Sequence, residues 1–151
     1  MLEYEPAKLE QYEEFLQLMR DDAAEYLERT MALMEMTWEE FSQLFRTVGE
    51  VVGVYEDGAI AGFYWIEERE AVLHLHALIL KEGFRGRGIG TGVLRELEDR
   101  HGAGVDAIEL GVHESNRRAR ALYERLGFET VKRLDELGFE VMRKGMGSRD
   151  P

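Results

Sequence analysis

Cysteine is absent from this 151-residue chain. That removes disulfides, thiolate metal ligands and a cysteine nucleophile together. Proline occurs only at Pro6 and Pro151, so no proline-rich linker divides the chain and no interior helix or strand is broken by an imino acid. No apolar run reaches the ~18–20 residues of a membrane-spanning helix, so no membrane partner is expected. Positive charge is scarce in the first half. Residues 1–70 carry 18 acidic and five basic side chains, net −13, whereas 71–151 carry 13 acidic and 14 basic, net +1. A total of −12 argues against nucleic acid as a partner, because a basic surface supplies most of that affinity. The acidic half reads either as a solvated face or as a field that attracts a cationic partner. The opening Leu2-Glu3-Tyr4-Glu5 resembles neither a signal nor a transit peptide, and with no cysteine the expected location is the cytoplasm.

With 44% hydrophobic residues, the chain suits one globular domain over 1–145, followed by a flexible tail at 146–151. A short strand is expected at 2–5. Leu9, Tyr12, Phe15, Leu16 and Met19 recur at helical spacing, and Asp21-Asp22 interrupts the pattern before it resumes over 23–33. Thr37 and Glu40 have the spacing of a capping box, which starts a helix through Phe45. The period then shortens. Runs at 51–55 and 59–66 are rich in β-branched and aromatic residues, and Asp57-Gly58 between them predicts a type I′ hairpin turn. A third long strand follows at 71–80, then a helix from Gly88 to His101 with Gly102 placed to terminate it in the left-handed region. A strand at 107–112, a helix at 117–126 capped by Asn116 and ended by Gly127, and a hairpin of 128–133 with 139–143 complete the order. This is an α/β fold built on a mixed sheet.

Between the third long strand and its helix lies Arg85-Gly86-Arg87-Gly88-Ile89-Gly90-Thr91-Gly92. Glycine at alternate positions lets successive backbone N–H groups converge, and the first N–H groups of the helix add to them. The product is an anion site suited to a pyrophosphate. Two nucleotide motifs fail on spacing. Walker A needs lysine directly after its last glycine, but Ile89 follows Gly88 and Val93 follows Gly92. The dinucleotide fingerprint G-x-G-x-x-G would need a third glycine where Thr91 or Val93 stands.

Arg85-x-x-Gly88-x-Gly90 resembles the Gln/Arg-x-x-Gly-x-Gly/Ala signature of the GNAT superfamily of N-acetyltransferases. A second segment, Asn116-Arg-Arg-Ala119-Arg-Ala-Leu122-Tyr123-Glu-Arg-Leu-Gly127-Phe128, resembles that superfamily's N-x-x-A-x-x-L-Y-x-x-x-G-F stretch. Together with the strand order, the likeness covers residues 50–144. It implies a mostly antiparallel twisted sheet flanked by helices and splayed between its fourth and fifth strands, with acetyl-CoA in the gap as acetyl donor. It further implies that the pantetheine arm pairs with backbone near Leu78 and Leu80. The pyrophosphate would lie on the N–H groups of Arg85, Gly86, Arg87, Gly88, Ile89, Gly90 and Thr91, and Asn116 would add a contact to cofactor or water. One departure stands out. Several protein N-terminal acetyltransferases of the superfamily carry glutamate on the fifth strand, five residues before the asparagine, and here that residue is Gly111.

Acetyl transfer to an amine needs a neutral amine, a polarised thioester carbonyl and a proton for the departing thiolate. Tyr123 is the candidate acid, since a phenol holds its proton at neutral pH. It lies seven residues, two helical turns, from Asn116, so the two project from one face. In similar proteins that face points at the CoA sulfur. His74 and His76 are the candidate bases, two apart on one strand face and of the right basicity. They read equally as surface or satisfied core histidines. No third ligand has metal spacing, so no metal is expected. Glu67, Glu68 and Glu70 are weaker candidates and read as solvated. Arg117, Arg118 and Arg120 could reach CoA phosphates, although exposed helix arginines need no such reason. Met31, Met34, Met36 and Trp38 read as helix packing before they read as an acceptor wall. The expected activity is direct acetyl transfer to a primary amine, either a small and perhaps cationic molecule or a protein lysine or N-terminus. A CoA-binding sensor without turnover is the reading from another class. The final hairpin could support a homodimer.

Overall fold

A computed structural model of the chain describes residues 1–147, with the backbone alone at 25 and 26. Seven strands and four α-helices follow one another as β1 (Leu2–Pro6), α1 (Gln11–Leu33), α2 (Trp38–Thr47), β2 (Glu50–Glu56), β3 (Ala59–Arg69), β4 (Val72–Leu80), α3 (Ile89–His101), β5 (Ala107–His113), α4 (Arg117–Arg125), β6 (Glu129–Leu134) and β7 (Phe139–Gly145). The strands form one sheet in the order β1-β2-β3-β4-β5-β7-β6. β4 and β5 run parallel, while β1–β2, β2–β3, β5–β7 and β6–β7 run antiparallel. The parallel ladder covers only four residue pairs, Val72↔Ala107 to Leu75↔Leu110. Pairing stops there, although β4 continues to Leu80 and β5 to His113.

The chain divides into two compact units, residues 1–66 with 77–87, and 67–76 with everything from 88 onward. In the first, Phe15, Leu16 and Met19 of α1 and Phe45 of α2 pack on Val51, Phe63 and Trp65. Phe15 stacks on Phe63 at 4.8 Å, and Phe45 meets Phe63 and Trp65 edge-on. Trp65 donates its indole N–H to the Val48 carbonyl at 2.8 Å, which satisfies a polar group the core would otherwise penalise. Trp38 stacks on Phe41 of the same cluster, so the helix-packing reading of that residue holds. Thr37 and Glu40 form the predicted capping box. The break expected near Asp21-Asp22 is a kink at Ala23, whose φ of −128° and ψ of 25° are not helical.

In the second unit, Val93, Leu94 and Leu97 of α3 are buried, as are Ile108 and Val112 of β5, Phe128 and Met142. Several boundaries differ from the sequence expectation. Asp57-Gly58 makes the predicted turn with both residues at positive φ, but Glu70 and Ala71 do the same between β3 and β4 with no glycine to announce it. β3 therefore runs three residues past 66, and Ala71 belongs to the turn rather than to the strand. Gly102 is right-handed (φ −55°) and enters a 3-10 turn. Its lack of a side chain serves packing instead, since a Cβ there would come within 3.3 Å of the Met146 sulfur. That methionine lies in the stretch expected as a tail. It is buried, and its N–H donates to the Asp106 carbonyl, so only 148–151 of the tail fall outside the described residues.

Candidate functional site

The glycine-rich segment adopts the conformation its composition requires. After β4, a 3-10 turn at Glu82–Phe84 leads to an extended Arg85, then Gly86 and Gly88 at φ 74° and 80°. A side chain is strained in that region, so the alternation of glycines is a backbone demand. Gly88 is the N-cap of α3, and no side chain caps that end. The first helical hydrogen bond runs from the Gly92 N–H to the Gly88 carbonyl, which leaves Ile89, Gly90 and Thr91 with N–H groups that no carbonyl of the helix reaches. Ile89 is buried and anchors the turn. A Cβ on Gly90 would stand 3.4 Å from Leu122, so α4 packs directly against this end of α3 at a glycine.

The loop's two arginines are engaged elsewhere within the first unit. Arg85 donates Nε–H to the Leu80 carbonyl at 3.0 Å and pairs with Asp22 at 2.8 Å. Arg87 pairs with Glu56 at 2.9 Å, reaches the Gly83 carbonyl and covers the Phe84 ring. These ion pairs hold the loop to α1 and β2. Leu78 and Leu80 lie half-buried on β4. A close backbone approach marks that end of the strand: a Cβ on Gly62 would fall 2.1 Å from the Ile79 carbonyl oxygen, and the Lys81 N–H donates to the Ala61 carbonyl.

In the second unit, Asn116 accepts from the Ala119 N–H at 3.2 Å and is the helix cap it was expected to be. Tyr123 lies two turns along α4, half-buried, with its ring 6.0 Å from that of Phe128. His74 and His76 project from one face of β4 with nearly parallel rings, 6.1 Å apart. Around them stand groups from three other strands. Glu67 accepts from His76 Nε2 at 2.8 Å and from Arg69 at 3.2 Å, and Glu109, opposite His74 on β5, pairs with Arg143 of β7 at 3.2 Å. Burial, and next the charge of Arg69, push His74 below the usual histidine range. The hydrogen bond from His76 holds Glu67 below the usual carboxylate range.

Glu67 therefore is not the solvated carboxylate its sequence context suggested. The extension of β3 to Arg69 places it beside His76, and the glycine-free turn at 70–71 concealed that extension. Sequence reasoning also missed Glu140, the buried carboxylate of this unit, which is held by Arg120 of α4 and by the Thr130 hydroxyl at 3.1 Å. Among the described residues, no three histidine, aspartate or glutamate side chains are grouped to hold a metal ion. No described helix is long and apolar enough to cross a membrane.

Known proteins resemble this chain in sequence and in fold. Residues 12–128 match the model of the acetyltransferase (GNAT) family. Mycothiol acetyltransferase of Beutenbergia cavernae is 39% identical over 77 residues, which is 50% of this chain and 26% of that protein. The chain thus spans about a quarter of the length of that relative. The PaiA N-acetyltransferase of Thermoplasma acidophilum, solved with coenzyme A, superposes with a TM-score of 0.69 at 19% identity, over 96% of this chain and 99% of that one. The ribosomal-protein-S18-alanine N-acetyltransferase of Escherichia coli gives 0.73 at 19% identity, over 97% and 94%. The structural likenesses establish the fold. With the family match across most of its length, they lead to one conclusion: this chain is a member of the acetyltransferase (GNAT) family.

Proposed function

We propose that the chain transfers an acetyl group from acetyl-CoA to a primary amine. The observation that carries this reading is the loop, where left-handed Gly86 and Gly88 lead into an uncapped helix whose first N–H groups are available to an anion. The backbone of Arg85 to Thr91 would hold the pyrophosphate, with Leu78 and Leu80 alongside the pantetheine arm and Asn116 on α4. Acetyl-CoA, when bound, supplies the thioester. The chain's own residues then handle two protons. A histidine of β4 takes one from the attacking amine nitrogen, and Tyr123 gives one to the departing thiolate. The acceptor reading is a small cationic amine, supported by the net −13 of residues 1–70. A protein lysine or N-terminus is the variant, and Gly111 in place of a fifth-strand glutamate weighs against the N-terminal form.

Acetyl-CoA at a hundred times its Kd should raise the melting temperature by about 5–10 °C, because a ligand that binds only the native state stabilises it by RT ln(1 + [L]/Kd). No shift at millimolar acetyl-CoA would refute the donor assignment. Thiol release with spermidine, an aminoglycoside, amino acids and alanyl peptides then separates the acceptor classes. Binding without release from any of them points to a sensor.

A further inference from the structure

α4 carries Tyr123 and begins at the Asn116 cap, yet its own sequence gives it little to hold on by. Four of its nine residues are arginine, and it buries no side chain completely. Its apolar side is Ala119, Leu122 and Tyr123, all half-buried. So narrow a stripe needs a further tether to fix the rotation and depth of the helix. We propose that Glu140 is that tether and, through Arg120, the positioning residue for the Tyr123 phenol. This assignment rests on the acetyltransferase reading above, in which Tyr123 protonates the departing thiolate.

Asn116, Arg120 and Tyr123 fall at i, i+4 and i+7, along one line of the helix surface. Arg120 therefore lies between the cap and the phenol. Its Nη1 donates to Glu140 Oε2, and its Nε stands 3.8 Å from Glu124 one turn on. The other oxygen of Glu140 accepts from the Thr130 hydroxyl at 3.1 Å, with Arg133 Nη2 3.9 Å away. The carboxylate is thus oriented by β6 as well as by the helix. Its backbone is equally constrained, because Glu140 pairs with Val112 of β5 on one side and Arg133 of β6 on the other.

The Glu140 side chain is only 6% exposed, so water competes little for the bond to Arg120. A charge-assisted hydrogen bond from a strand held on both edges sets distance and direction, whereas apolar contact sets neither. A rotation of α4 that released Arg120 would turn Tyr123 with it, since both lie on the same line.

The test combines kinetics with a measurement that needs no substrate. In protein labelled with 13C at tyrosine Cζ, the Tyr123 signal is the one lost in Tyr123→Phe. It should shift or broaden in Glu140→Gln, while the signals of Tyr12 and Tyr55 in the first unit hold. A Tyr123 signal unmoved by Glu140→Gln overturns the positioning role. In thiol release with the best amine of the panel, Glu140→Gln should lose about tenfold in kcat with acceptor KM unchanged, the scale of a small misplacement of a reacting group. Adding Glu140→Gln to Tyr123→Phe should cost nothing further, leaving the double variant at the loss of about 10²-fold expected for Tyr123→Phe alone. A multiplied loss of about 10³-fold means that Glu140 does not act through the phenol. Stability is separated by a second variant. Arg120→Met combined with Glu140→Leu should restore the melting temperature that Glu140→Gln lowers, because an apolar pair leaves no charge to desolvate, yet kcat should stay low. If kcat recovers along with stability, Glu140 supports the fold and nothing more. Should the wild type release no thiol with any amine while the Tyr123 signal responds as expected, the acetyltransferase reading fails, and the kinetic role of Glu140 with it.

Discussion

His74 links chemistry to stability through a sign that can be worked out. Its folded form resists protonation because burial, and then Arg69, disfavour the charge. As pH falls through about 6.5 the unfolded chain takes up a proton at this residue before the folded chain does. The unfolded state then binds more protons, so stability declines below that pH until folded His74 is itself protonated. Urea titrations between pH 5 and 7.5 should show this slope in the wild type and a flatter one in His74→Gln. Glu67 acts in the same direction but in a lower window, below about 4.5, so the two contributions separate. Tyr123→Phe keeps the ring that packs on Phe128 and removes only the hydroxyl. It should lower kcat about 10²-fold in the thiol-release assay with little change in KM. Wild-type kcat in that variant at every pH would show that the thiolate obtains its proton elsewhere.

At the scale of elements, the sequence was readable wherever a local conformation demands a particular residue. Asp57-Gly58 announces its turn because positive φ selects glycine, and Gly86 and Gly88 announce the loop for the same reason. Thr37 and Glu40 announce a helix start because their reciprocal bonds need that spacing. Glu70-Ala71 adopts the left-handed conformation without that signal, so the end of β3, and with it Glu67, was misplaced. Partners far along the chain left no mark at all. Asp22 and Arg85 are 63 residues apart, and nothing local to either predicts their ion pair. Glu140 is the same case. It ties β7 to Arg120 on α4 and to Thr130 on β6, so it holds the helix that carries Asn116 and Tyr123. Glu140→Gln preserves volume but removes the charge that offsets Arg120. Because Arg120 keeps some contact with water, the expected cost is about 2 kcal/mol, below that of a fully buried pair, as read by urea denaturation.

Over the whole molecule, the charge imbalance bears on the acceptor rather than the donor. If the acidic residues of 1–70 draw in a cationic amine, its KM should rise several-fold as salt shortens the Debye length from about 14 Å at 50 mM to about 4 Å at 500 mM. An uncharged amine acceptor should respond much less, and equal response would remove the electrostatic argument for a cationic substrate. A last consequence follows from where the aromatic cluster lies. Trp38 and Trp65 are the chain's two tryptophans, and both belong to the unit formed by residues 1–66 and 77–87. Emission excited at the red edge of indole absorption therefore reports on that unit alone, with the buried, hydrogen-bonded Trp65 as its blue-shifted component. Far-UV dichroism reports on both units. If the two signals trace one denaturation curve, the units unfold cooperatively; if the curves part, the half containing Tyr123 and both candidate histidines has a stability of its own, invisible to fluorescence.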